Sequence, residues 1–131
     1  DTSKPVNFLL GPSGAMGKVS GSGGRSEHSL ESIQVLGMTL DDFVYRDSNP
    51  PPQVIKMDIE GGEVLALRGM TRLLANARPL IFLELHGPEA AQVAWQELTN
   101  AGYRLYQMSS NLLPVPSPDT LNWKAYLMAM P

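Results

Sequence analysis

The chain contains no cysteine, which excludes a disulfide frame, a thiolate metal site and a cysteine nucleophile, and leaves the redox compartment open. It also has no long hydrophobic run. The longest, Pro79 to Leu83 with its flanks, falls far short of the roughly 20 residues a membrane span requires. Positive charge is not in excess: the formal net charge is -3, whereas a general nucleic-acid binder needs a basic face. The opening Asp1-Thr2-Ser3-Lys4-Pro5 has neither the apolar core of a signal peptide nor an initiating Met, so the chain reads as a piece of something longer. What remains is a globular composition, 43% hydrophobic and 18% charged over 131 residues. That is enough for one domain with a core and too little for two ordinary ones.

The first fifty residues differ from the rest. Val6 to Leu10 and Ser32 to Met38 read as strands, with turns at Gly11-Pro12-Ser13-Gly14 and Gly21-Ser22-Gly23-Gly24, so the region is expected to form a β-hairpin excursion with a loose loop. Thr39-Leu40-Asp41-Asp42-Phe43 can open a short helix, with Thr39 as its cap and the aspartates at its positive end. Asn49-Pro50-Pro51-Pro52 stops it.

From Gln53 the pattern is α/β. Val54 to Ile59 reads as a strand, and Glu63 to Ala75 as one helix with Val64, Leu67, Met70 and Leu74 on its apolar face. Leu80 to Leu85 is a continuous apolar strand of the kind covered on both faces. Pro88 opens a helix presenting Ala91, Ala94, Trp95 and Leu98 and stopping at Gly102. Tyr103 to Met108 and Trp123 to Met128 are the last strands, and Pro114, Pro116 and Pro118 mark a stiff loop. This alternation predicts a mostly parallel sheet within a single domain, residues 1-50 forming the hairpin region and 51-131 the α/β core.

Ligands of open α/β sheets lie beyond the carboxyl ends of the strands. There the first core strand delivers Asp58, Glu60 and, at the helix start, Glu63, and the second delivers Glu84 and His86. Several carboxylates in one crevice repel each other unless a cation, a proton or a ligand amine compensates. Taken singly, Glu60 and Glu63 suit a helix amino end, Glu84 a loop amide and His86 a loop position, whereas Asp58, at the strand's tip before Gly61-Gly62, points to chemistry. Two glycine-rich segments are turns. Gly11 to Lys18 has five residues where a phosphate-binding loop has four between its glycines, and Val19 where that loop needs Ser or Thr. Gly21 to Ser26 starts a dinucleotide fingerprint without its helix.

The block Val54-Ile55-Lys56-Met57-Asp58-Ile59-Glu60-Gly61-Gly62-Glu63, continuing through Arg68-Gly69-Met70, resembles the signature of FkbM-family methyltransferases. Thr39-Leu40-Asp41-Asp42, Arg78-Pro79 through Glu84-Leu85-His86, and Ala101-Gly102-Tyr103 extend the resemblance over about residues 32 to 107. It implies a class I, Rossmann-like sheet binding S-adenosylmethionine and, usually, O-methylation of a hydroxyl on a sugar, polyketide or other small metabolite by a cytoplasmic enzyme. Asp58 and His86 are then the candidate bases, with Glu60, Glu63 and Glu84 near substrate or cofactor. The family's acidic, glycine-rich turn after its first strand and the acid after its second have no counterpart ahead of Asp58. The chain therefore matches the carboxyl-terminal half, is expected to turn over little by itself, and should self-associate through an exposed sheet edge. The alternatives are a metal-binding module using Asp58, Glu60, Glu84 and His86, which suit magnesium, manganese or non-haem iron, and a non-catalytic interaction domain.

Overall fold

The computed structural model describes residues 4-11, 17-20, 31-109, 111-122 and 124-131. They form two sheets. Strands β1 (Lys4–Leu10), β2 (Gly17–Val19) and β3 (Glu31–Gly37) make an antiparallel sheet in the order β2-β1-β3. The expected hairpin pairing is present, with Val6 opposite Val35 and Phe8 opposite Ile33, and β2 adds a third strand. Most of the Gly11 to Lys18 segment and all of Gly21 to Ser26 lie outside the described residues.

The second sheet contains β4 (Val54–Met57), β5 (Leu80–Glu84), β6 (Arg104–Gln107), β7 (Leu113–Pro114) and β8 (Tyr126–Met130), in the order β4-β5-β8-β6-β7. It is mixed rather than mostly parallel. Only β4 and β5 pair in parallel, and β8 runs antiparallel between β5 and β6. The last strand also begins three residues later than expected, at Tyr126, and Trp123 lies outside the described residues.

The expected single helix from Glu63 to Ala75 is two, α1 (Glu63–Arg68) and α2 (Thr71–Asn76). The break has a local cause. At Gly69 a Cβ would come within 3.2 Å of the Thr39 side chain, so the incoming 39-41 segment packs directly on the backbone there. Asp41 then accepts hydrogen bonds from the backbone N–H groups of Arg72 (2.9 Å) and Leu73 (2.8 Å), capping α2 from thirty residues away. Thr39 caps its own turn as expected, its hydroxyl accepting from the Asp42 N–H at 3.0 Å, although that turn is π-helical over Asp42–Arg46. Helix α3 (Pro88–Asn100) begins with proline at its first turn and ends where Gly102 takes φ 79°. There the Arg78 guanidinium donates to the carbonyls of Ala101 and Gly102, holding the helix end against the start of β5.

The core lies between the helices and one face of the second sheet: Leu67, Leu73, Leu74, Ile81, Leu83, Leu98 and Leu127 are all buried. The alternate residues of the same strands are not. Val54, Lys56 and Tyr126 are exposed, and Leu80, Phe82, Glu84 and Met128 are half-buried. Although β5 is apolar from Leu80 to Leu83, the described residues cover it fully on one face only. No described helix is long and apolar enough to cross a membrane.

Candidate active site

Because β4 and β5 are parallel neighbours, with Met57 opposite Leu83, their carboxyl ends deliver polar groups to one place. Asp58 follows β4 directly and Glu84 ends β5. Between β4 and α1 the chain turns tightly: Glu60 has φ 49° and Gly61 φ 96°, and the Gly62 N–H donates to the Ile59 carbonyl. A left-handed glutamate is uncommon and costs on the order of 1 kcal/mol, which the surrounding turn must hold in place. His86 follows β5 after Leu85, whose N–H is anchored on the Ala125 carbonyl, and precedes Gly87 at φ 132°.

Glu63 is the only buried charged residue among those described, with 0% of its surface exposed. Its Oε1 lies 2.9 Å from His86 Nδ1 and accepts the Gly61 N–H at 3.3 Å, while Oε2 has no hydrogen-bond partner among the described residues. A carboxylate against Nδ1 favours the proton on that nitrogen, which leaves the lone pair of a neutral imidazole on Nε2. Nε2 faces three further carboxylates: Glu84 at 3.7 Å, Glu60 at 3.8 Å and Asp58 at 3.9 Å. These distances exceed a direct hydrogen bond. The candidates expected from sequence are thus brought together around one imidazole, with Glu63 behind it in the protein and the other three acids in front. Ligand atoms of Asp58, Glu60 and His86 lie within 4.8 Å of one another, close enough to hold a cation.

Two residues of the cluster escape a reading of the sequence. Lys56 donates to Asp58 at 2.9 Å, and this bond holds its ammonium above the usual lysine range. The signal was present, since residues two apart on a strand share a face. Tyr126 hydrogen-bonds Glu84, which it opposes in the β5–β8 register. No sequence signal places β8 beside β5. The hydrogen bond, then the charge of Glu84, pushes the Tyr126 hydroxyl above the ordinary tyrosine value. Its contribution to stability should be complete below about pH 10 and fade as pH rises through the higher folded value. Tyrosinate absorbance should therefore show Tyr126 ionising late, and Glu84→Gln should move it earlier. An unchanged titration in that variant would remove the pairing.

The described residues thus set a wholly buried glutamate against a half-buried histidine, with three more carboxylates facing the ring's other nitrogen at the ends of two parallel strands. The chain belongs to the FkbM methyltransferase domain family, whose model matches residues 2–105. Over 74 residues it is 32% identical to the 5'-nucleotidase SurE of Synechococcus sp. (strain JA-3-3Ab), a match covering 56% of this chain and 29% of that protein. No solved structure matches the chain.

Proposed function

We propose that the protein is an S-adenosylmethionine-dependent methyltransferase acting on a hydroxyl of a small acceptor in the cytoplasm, and that these residues form the carboxyl-terminal, acceptor-side portion of a class I, Rossmann-like domain. The observation that carries the reading is the 2.9 Å contact between His86 Nδ1 and the wholly buried Glu63, within a chain of a methyltransferase family.

The site's carboxylates suit the cationic sulfonium and ammonium of S-adenosylmethionine, but ahead of Asp58 the described residues include no acidic, glycine-rich turn after a first strand for its carboxylate and no acid after a second strand for its ribose. Gripping the cofactor's body is not assigned to them. The cofactor supplies an electrophilic methyl group. These residues handle the acceptor's proton: an alcohol within reach of His86 Nε2 is relieved of it as the oxygen becomes nucleophilic. Glu63 keeps the imidazole in the receiving tautomer and stabilises the imidazolium, helped by Asp58, Glu60 and Glu84 in front.

The test is transfer of a radiolabelled methyl group by the complete gene product. Calorimetric heat with magnesium or manganese, lost in His86→Gln, would replace the base reading by a metal centre on Asp58, Glu60 and His86. We also propose that β4, at the edge of its sheet and with Val54 exposed, pairs with a further strand, in a second copy if no other partner is present. Light scattering of this chain should then show concentration-dependent association, and a constant monomer mass would count against it.

A further inference from the structure

A cleft of about 750 Å³ runs between the three-stranded sheet and the β4–α1 segment, and it ends at Asp58 and Glu60, two of the carboxylates His86 faces. That is within the usual size of a small-molecule site. Its walls are largely apolar, with Val6, Phe8, Met38, Ile59, Leu65 and Ala66 prominent. Several of these are large hydrophobic side chains left in contact with solvent: Met38, Ile59 and Leu65 are 45%, 41% and 57% exposed. Polar groups are few in the lining. The charged side chains of the lining are Lys4, Lys18, Asp58 and Glu60, of which Asp58 is bonded to Lys56, and the Thr39 hydroxyl accepts the Asp42 N–H.

The lining discriminates between acceptor classes. A free sugar carries hydroxyls around its whole ring, and against such walls most would lose water without gaining a partner, at about 1–3 kcal/mol each. A molecule with an apolar body gains instead from covering these side chains. We propose that the acceptor is an alcohol with a mainly apolar body, seated against Phe8, Ile59 and Leu65, with its hydroxyl at the acidic end of the cleft beside His86. This rests on the methyltransferase reading of the site and narrows it.

The test is binding, scored apart from methyl transfer, on the 131-residue chain. The probes are 2-(2-naphthyl)ethanol, followed by its fluorescence, and methyl β-glucoside, followed by calorimetry. The naphthyl alcohol should bind at least about tenfold more tightly than the glucoside. Leu65→Ser and Ile59→Ser should each weaken it by about tenfold, the scale expected on removing a partly covered aliphatic contact. Both residues are exposed, so the variants should keep the fold, which circular dichroism checks. Four results would overturn the inference: equal or tighter binding of the glucoside, naphthyl binding indifferent to both substitutions, no binding of either probe, or displacement of the alcohol by S-adenosylhomocysteine, which would make the cleft the cofactor's. A methyltransferase that acts on sugars through His86 would leave the site reading intact while ending this one. Apolar binding without any transfer would do the reverse.

Discussion

His86→Gln in the complete gene product is expected to lower methyl transfer by about 10²- to 10⁴-fold, the range that a positioned general base contributes. Glutamine keeps a similar size and polarity, so the fall should lie in kcat rather than in KM for the acceptor. Glu63→Gln is the more searching variant. Its amide can present N–H₂ to Nδ1, which would force the ring proton onto Nε2, the wrong nitrogen for a base. Glu63 touches no substrate in this arrangement, since it is wholly buried behind the imidazole. A merely structural glutamate would lower stability and leave kcat of the folded fraction unchanged, whereas a positioning one lowers kcat at constant KM. If His86→Gln keeps more than about a third of the wild-type rate, the proton-transfer assignment fails.

Asp41→Ala is expected to destabilise the fold by about 2 kcal/mol, at the upper end for loss of a helix cap. The substitution removes the acceptor for two backbone N–H groups, those of Arg72 and Leu73, and for the Thr71 hydroxyl at 3.4 Å. Leu73 is itself wholly buried, so its N–H finds little water once the carboxylate is gone. Urea unfolding should show a lower midpoint with an unchanged slope. Asp41→Asn should recover part of the loss, because an amide oxygen still accepts at this position. A midpoint within error of wild type would mean that α2 does not depend on this distant cap.

Asp41 also marks the limit of what the sequence disclosed. The aspartates of Thr39-Leu40-Asp41-Asp42 are natural first-turn residues for their own helix, and local rules assign them there. Asp41 instead serves a helix thirty residues on, a pairing with no periodicity to betray it. The same reason hid the break at Gly69: Val64, Leu67, Met70 and Leu74 keep a helical step across it, and only the docked Thr39 forces the interruption. Strand identities were legible where apolar runs are bounded by proline or glycine, as for β4 and β5. Strand order was not. Alternation of strand and helix implies parallel neighbours, and β8 departs from it because only a three-residue 3-10 turn, Pro118–Thr120, and no α-helix separates it from β7. At the site, the grouping of Asp58, Glu60, Glu63, Glu84 and His86 followed from the carboxyl ends of two adjacent strands. The division of labour among them did not, since burial of Glu63 depends on how α1 sits against the sheet.

The position of β8 sets an order of events in the making of the molecule. β5 and β6 never touch through hydrogen bonds: each is zipped to β8, which the chain supplies after both. While the chain is being synthesised, a β4–β5 pair and a β6–β7 pair must wait as separate, half-sided pieces, each with a bare apolar flank. Closure into one sheet comes only when residues 126-130 emerge and slide between them. Contacts spanning that much chain are slow to form, and the interval before them is when exposed strand flanks are open to capture by other chains. How long those flanks stay open thus depends on how soon residues 126-130 follow β6 and β7 out of synthesis.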